Sequence, residues 1–234
     1  MIQRLPKWVE VGSFVLALTA GIVNAIALVG FTHQGVSHLS GSSTLIGVEL
    51  AGHHGREALH LLGVILCFLA GAAASGVIIA GESLKLGRHY GAVLGIETLL
   101  LVLSMLLLHQ GSAAGHYLAS AACGLQNAMT TSFGGAVIRT THVTGLFTDL
   151  GITLGLKLRG QPVDKRRVVL YVTIIAGYLC GGWVGALLFV WLGFYSMGAS
   201  AVLAGVLAVA YLFYGRHAQA GGGRLLGRHT NEAS

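Results

Sequence analysis

The same polar signature occurs twice inside apolar sequence, and this duplication constrains the fold more than any other feature. The second copy, residues 123–155, is CGLQNAMTTSFGGAVIRTTHVTGLFTDLGITLG; the first, residues 20–52, is AGIVNAIALVGFTHQGVSHLSGSSTLIGVELAG. Each copy has an Asn followed by a His-x-Ser/Thr-Gly-x-x-Thr motif. With one gap before the histidines, the pairs are Gly21 with Gly124, Asn24 with Asn127, Ala25 with Ala128, His38 with His142, Thr44 with Thr148, and Gly47 with Gly151. The repetition predicts a duplicated structural unit and a duplicated site.

The amino-acid content indicates an integral membrane protein. Of the 234 residues, 54% are hydrophobic and 9% charged, whereas a soluble domain carries about 25% charged residues. The net charge of +6 does not indicate nucleic-acid binding, because the basic residues cluster in short loops between apolar runs, as membrane orientation requires.

Cysteine and histidine patterns predict neither disulfides nor a metal site. Cys67, Cys123 and Cys180 all lie within apolar segments and lack a metal-binding spacing. The histidine-rich run at residues 53–60 could bind a metal, but loop histidines without a Cys or acidic ligand set are usually solvated. Without a nucleotide loop or a hydrolase motif either, we expect no cofactor and no metal. The first apolar run is long enough to span a membrane and holds half of the repeat, so we do not expect it to be a cleaved signal.

Eight apolar segments follow one another, and two of them are short. Residues 38–51 and 142–156 would form helices well below the ~30 Å hydrocarbon thickness. The other six are residues 11–31, 60–80, 90–108, 117–131, 168–190 and 198–214. Small residues recur every fourth position in the third and seventh segments, which predicts close helix packing; they are Gly63, Cys67, Gly71 and Ser75, and Gly177, Gly181 and Gly185.

The loop charges favour six spans over eight. If the two short segments enter and leave on one side, the basic loops 81–89 and 157–167 and both termini lie in the cytoplasm. The loops 109–116 and 191–197, without Lys or Arg, then lie outside. We therefore predict an all-α polytopic membrane protein of six spanning helices, arranged as two inverted three-helix repeats, each with a short re-entrant helix after its first span. The repeats are residues 1–110 and 111–214, and residues 215–234 form a disordered basic tail.

Two re-entrant helices would bring polar groups to the bilayer midplane. The free N–H groups at their N-termini can bind an anion or another polar group, and we expect Ser40 and Thr144, or the threonines just before the latter, to cap them. The candidate substrate-binding residues are Asn24, His38, Ser40, Thr44, Gln126, Asn127, Arg139, His142, Thr144, Thr148 and Asp149. Each has a structural alternative: Asn as a helix–helix hydrogen bond, Ser and Thr bonded back to helix carbonyls, and His as a hydrogen-bonded group.

Two carboxylates are candidates for proton coupling, because ionisable groups at membrane depth are costly and often functional. They are Glu97 and Asp149. Asp149 could instead pair with Arg139 or a nearby histidine. The second copy holds Gln126, Arg139 and Asp149, which the first copy does not match, so we expect the second copy to dominate the chemistry of a single site.

The motif GLQNAMTTSFGGAVIRTTHVTGLFTDLG resembles the signature of the YoaK-type family of small bacterial integral membrane proteins, a family of unknown function. The first-copy line GIVNAIALVGFTHQGVSHLSGSSTLIG resembles that family's N-terminal motif, and the likeness covers residues 10–214. The first copy departs from the family pattern, which has Asp at position 24, Asn at position 38 and Thr-Gly-Asn at positions 40–42. The resemblance implies a six-span inner-membrane protein and a small-solute transporter, without a substrate.

These patterns predict a transporter or channel for a small polar solute, and not an enzyme. An anion is one kind of solute that would fit. An intramembrane enzyme using His142 and Asp149, and a non-transporting scaffold subunit, are the alternatives. The expected partners are the lipid bilayer and the solute, with no nucleic acid; a homo-oligomer is left open. The expected location is the bacterial inner membrane, multi-pass, with both termini cytoplasmic.

Overall fold

A computed structural model describes residues 8–30, 35–79, 88–133 and 140–229, and these contain eight α-helices and no strand. A 3₁₀ turn, Gly193–Ser196, joins the last two helices. The helices are α1 Trp8–Gly30, α2 Leu39–Ala51, α3 Gly55–Ile79, α4 Arg88–His109, α5 Ala114–Phe133, α6 Val143–Leu158, α7 Lys165–Leu192 and α8 Met197–His229.

Four stretches of the described chain are long and apolar enough to cross a membrane: Val9–Gly30, Gly55–Ile79, His89–His109 and Lys165–Phe213. The last stretch has 49 residues, or roughly 73 Å as one helix, more than twice the hydrocarbon thickness. It is divided at Gly193, whose φ of 56° ends α7, so α7 and α8 are separate helices. The protein thus has the helices of a membrane protein, as its composition predicts.

Each predicted apolar segment corresponds to one helix, and the differences lie at the ends. Helix α7 begins before the predicted residue 168 because Asp164 caps it, accepting hydrogen bonds from the backbone N–H groups of Arg166 at 3.0 Å and Arg167 at 3.4 Å. The backbone of α8 is helical to His229, through most of the segment expected to be disordered. Its side chains beyond residue 213 lie outside the description, so the disordered tail stays a prediction.

The long helices pack mainly across the boundary between residues 1–110 and 111–214. Helix α1 packs along α7, α3 along α5, and α4 along α8. The next contacts are α4 with α5 and α1 with α8. The counterparts in the two halves are α1 and α5, α2 and α6, α3 and α7, and α4 and α8. Exchanging every long helix for its counterpart gives the same pairs of contacting helices. The two halves are therefore intertwined and use equivalent surfaces.

Glycines allow the two closest of these crossings, as the small-residue pattern predicts. A Cβ on Gly181 would overlap the Leu18 carbonyl of α1, and a Cβ on Gly71 would overlap the Ala121 carbonyl of α5. The reciprocal contacts are Gly21 against the Tyr178 carbonyl and Gly124 against the Phe68 carbonyl. Each crossing thus joins two backbones directly, and the two crossings use matching positions of the two copies.

Residue contacts fix the direction of every long helix. Within α1 and α7, Leu18 meets Gly181 and Ile22 meets Gly185, so these helices are parallel. The bonds from His60 to Tyr117 and from Ser120 to Val64 make α3 parallel to α5.

The remaining pairs are antiparallel. Helix α8 runs opposite to α1, since Gly12 lies near Tyr211 and Thr19 bonds Ser200. It also runs opposite to α4, since Gly91 meets Leu212 whereas Gly198 meets Met105. Helix α5 runs opposite to α4, because the Ser104 hydroxyl bonds the Gly115 carbonyl across their short connection. Helices α1, α4 and α7 therefore point one way, and α3, α5 and α8 the other.

Candidate functional site

The first copy of the motif builds a hydrogen-bonded cluster between three segments, which we call the Asn24 cluster: Asn24, Ser37, His38 and Tyr178. The Asn24 Oδ1 atom accepts from the Ser37 hydroxyl at 2.9 Å and from the Ser37 backbone N–H at 3.3 Å. The Tyr178 hydroxyl of α7 hydrogen-bonds the His38 Nε2 atom at 2.8 Å, with the two rings edge to face. A helix of the second half thereby helps to hold the motif of the first.

Two members of the cluster, Asn24 and Ser37, are shielded from solvent. Asn24 is 7% exposed and Ser37 6%. Hydroxyl and amide groups both donate and accept hydrogen bonds, and an imidazole ring offers nitrogen atoms for hydrogen bonding. The cluster therefore presents hydrogen-bonding groups of both kinds.

Ser120 of α5 fixes the depth of this segment. Its hydroxyl bonds the carbonyls of Val36 at 3.1 Å and Val64 at 2.8 Å. Val64 lies about 14 Å along α3 from its first residue, at 1.5 Å per residue. The chain just before α2 therefore lies well inside the bundle, whereas the other end of α2 joins the beginning of α3.

The expectation that Ser40 and Thr144 cap the short helices is wrong. The N-cap residues are His38 and His142, and neither makes a side-chain capping bond. Ser40 and Thr144 lie within the first turns, and their carbonyls accept hydrogen bonds from the Thr44 and Thr148 hydroxyls at 3.0 Å each. All four side chains are exposed. They make the structural back-bonding contacts that serine and threonine commonly make in helices, and they leave the first N–H groups of α2 and α6 without a side-chain cap.

The polar groups of the second copy make fewer hydrogen bonds to other segments among the described residues. The Asn127 Oδ1 and Thr140 Oγ1 atoms are buried and have no partner among the described residues. His142 is exposed, and its ring lies over Gly145. At the crossing of α3 and α5, Phe68 takes the position that Tyr178 has at the crossing of α1 and α7. Because phenylalanine has no hydroxyl group, this position cannot hydrogen-bond His142 as Tyr178 bonds His38. Arg139 lies outside the described residues.

The two candidate carboxylates are in contrasting places. Glu97 lies near the middle of α4, is 1% exposed, and its Oε2 atom has no partner within the described structure. Gln126, also 1% exposed, donates to the Leu16 carbonyl of α1 at 2.7 Å and thus joins α5 to α1. Asp149 is exposed and lies beside the Tyr171 hydroxyl of α7. The structure therefore separates Asp149 from the buried polar groups.

Sequence reasoning missed Tyr178 and Ser120, which lie outside both copies, and Ser37, which directly precedes His38 in the first copy but is not one of the paired positions. It also missed a cluster at the beginning of α5, where His60 bonds the Tyr117 hydroxyl at 2.9 Å and its ring lies 5.5 Å from that of His116. Among the described residues, no three His, Cys, Asp or Glu side chains are grouped to hold a metal ion.

Comparison with known proteins then places the chain. A model of the family described as "Protein of unknown function (DUF1275)" matches residues 12–210. The chain belongs to this family. YoaK-type proteins are members of DUF1275, so the resemblance seen in the motifs is confirmed. No curated protein and no solved structure matched the chain. Membership in DUF1275 thus identifies the family without supplying an activity.

Proposed function

We propose that this protein is a membrane transporter or channel for a small polar solute. In this proposal six helices cross the membrane as two inverted repeats, and α2 and α6 are re-entrant half-helices that enter from opposite faces. The helix directions support the inversion, because α1, α3 and α4 each run opposite to their counterparts α5, α7 and α8. Inverted repeats with broken helices are a common plan of secondary transporters.

The same directions support the re-entrant course of both short helices. Since α1 and α3 point in opposite directions, the connection that holds α2 leaves and returns at one end of the bundle. The connection that holds α6, between α5 and α7, does so at the other end. At 13 and 16 residues, α2 and α6 are roughly 20 and 24 Å long, short of the ~30 Å hydrocarbon core.

The single observation that carries the proposal is the position of the N-terminal end of α2. Ser120 and Tyr178 hold this end inside the bundle, and Tyr178 lies about 20 Å along α7, near its middle. The N-terminal end of α6 approaches the same helix, because Val143 packs on the buried cluster that contains Tyr178. Two helix N-termini would therefore face one region from opposite sides.

The chemistry of that region suits a small polar solute and favours an anion. The uncapped N–H groups of a helix N-terminus carry partial positive charge and donate hydrogen bonds. His38 and Tyr178 add groups that both donate and accept. In the second copy, Asn127 and Thr140 would contribute the buried oxygens that find no partner among the described residues.

The proposed orientation follows from the loop charges. The last turn of α6, the connection after it and the beginning of α7 carry five basic residues: Lys157, Arg159, Lys165, Arg166 and Arg167. Residues 110–113 and 193–196 carry no Lys or Arg. By the positive-inside rule the basic end lies in the cytoplasm, together with both termini. The membrane would be the inner membrane of a bacterium.

Flux into proteoliposomes tests the proposal. Purified protein in sealed vesicles should admit at least one solute of a panel of labelled small anions, zwitterions and neutral polar molecules, above protein-free vesicles. Tyr178→Phe should lower that flux several-fold because the His38 contact is lost, whereas Tyr195→Phe, at an exposed tyrosine, should not. Folded protein that admits none of the panel would favour a scaffold, and hydrolysis of a lipid or peptide without flux would favour an enzyme.

A further inference from the structure

A groove opens between α6 and α7 at the basic end of the bundle, away from the Asn24 cluster. Its volume is about 620 Å³, within the roughly 300–1,000 Å³ range of small-molecule sites. It is lined by Leu150, Thr153, Leu154, Lys157, Gln161, Val163, Lys165, Val168 and Val169.

The groove is apolar along most of its length and basic at one end. On α6 the lining residues Leu150, Thr153, Leu154 and Lys157 follow i, i+3, i+4, i+7 spacing, so they share one face. Along that face the apolar side chains come first, and Lys157 lies in the last turn. Helix α7 runs back from Lys165 towards Val168 and Val169. The lysines and Gln161 therefore gather at one end together with Val163, and the leucines, Val168 and Val169 line the rest of the groove.

The connection between the short helix and the next long helix differs between the two halves. Helix α2 ends at Ala51 and α3 begins at Gly55, so a tight turn closes α2 onto α3. Helix α6 ends at Leu158, and α7 begins only at Lys165. The longer connection lets α6 diverge, and α6 packs less extensively on α7 than α2 does on α3. The first-half turn is flanked by Glu49 and Glu57 and carries one arginine, Arg56, but no lysine.

We infer that this groove binds an acidic phospholipid of the surrounding leaflet. Its acyl chain lies along Leu150, Leu154 and Val168, and its phosphate and anionic headgroup meet Lys157, Gln161 and Lys165. Lysine ammonium groups bind phosphate as point charges, and their stems extend along apolar surface to the interface. The inference rests on the proposed membrane insertion but not on transport, so a protein that transports nothing would still bind the lipid.

Lipid binding is measured on the full-length chain in detergent. Phosphatidylglycerol should raise the unfolding midpoint more than phosphatidylcholine of the same chain length, and native mass spectrometry should find it retained. The double variant Lys157→Gln/Lys165→Gln should lower the affinity for phosphatidylglycerol roughly thirtyfold, because both basic groups that meet the acidic headgroup are lost.

The matched control removes the same charge from the same end without touching the groove. Arg159→Gln/Arg167→Gln loses two positive charges from residues that do not line it, so it should keep most of the affinity. Equal losses in the two double variants would mean diffuse attraction and would overturn the site. Equal binding of the two lipids by the native chain would mean ordinary boundary lipid and would overturn it as well.

Discussion

At the scale of single residues, the contact between His38 and Tyr178 joins the two halves at the proposed site. Substituting Tyr178→Phe removes one hydrogen bond in a shielded place and leaves the ring. We expect a loss of about 1 kcal/mol in the free energy of unfolding, measured by denaturant unfolding in detergent. Tyr195→Phe, at a tyrosine that is 49% exposed, should change it by less than about 0.5 kcal/mol. Equal effects of the two substitutions would contradict a stabilising role for the His38 contact.

Glu97 is the second residue whose surroundings make a specific prediction. Glu97 has no cationic partner among the described residues, and a fully buried carboxyl group is costly as an anion, so we expect it to be protonated in the membrane. A hydrophobic carbodiimide reacts with protonated carboxyl groups in apolar surroundings and should therefore label Glu97, as peptide mass spectrometry would detect. Glu97→Gln should abolish that labelling, whereas Glu57→Gln, at an exposed glutamate, should leave it unchanged. Labelling that survives Glu97→Gln would be evidence against a protonated Glu97.

At the scale of helices, adjacent glycines on α7 provide a matched pair for testing the crossing with α1. A Cβ on Gly181 would overlap the Leu18 carbonyl, whereas a Cβ on Gly182 would meet nothing within 4 Å. Gly181→Ala should therefore lower the free energy of unfolding by about 1–3 kcal/mol, the usual cost of overpacking. Gly182→Ala should be neutral or slightly stabilising, because alanine favours the helix. Similar unfolding curves for the two variants would show that the helices do not cross so closely.

The helices themselves could be predicted from the sequence, but their partners could not. Apolar length and loop charge located every helix, and the four-residue spacing of Gly177, Gly181 and Gly185 indicated a packing face. That face carries no information about which helix covers it, since α1 lies more than a hundred residues away in the chain. The same limit explains Tyr178, whose partner His38 is 140 residues distant. The caps were predicted wrongly because serine and threonine can bond either a free N–H group or a helix carbonyl, and the two choices look alike in sequence.

At the scale of the whole molecule, intertwining is the property by which the two copies would form one site in the proposed transporter. Each half contributes a short helix, and the long helix that holds the beginning of α2 belongs to the other half. The helical segments of each half could be predicted from the sequence, but not which helices of the other half they contact. The two copies differ in their hydrogen bonds because Tyr178 bonds His38, whereas Phe68 at the matching position has no hydroxyl group. Both residues lie outside the repeated motif, so this difference could not be predicted from it. We therefore expect substitutions near Asn24 and near Asn127 to affect a transported solute unequally.

The sidedness of three connections tests most directly the claim that α2 and α6 are half-helices. On a background with Cys67, Cys123 and Cys180 replaced by alanine, single cysteines are placed at the exposed positions Gln110, Gln161 and Tyr195 and labelled in sealed vesicles with a membrane-impermeant maleimide. The account predicts that Gln110→Cys and Tyr195→Cys react from one side, and Gln161→Cys only from the other. If Gln110→Cys and Gln161→Cys react from one side and Tyr195→Cys from the other, both short helices cross the membrane and the account is wrong.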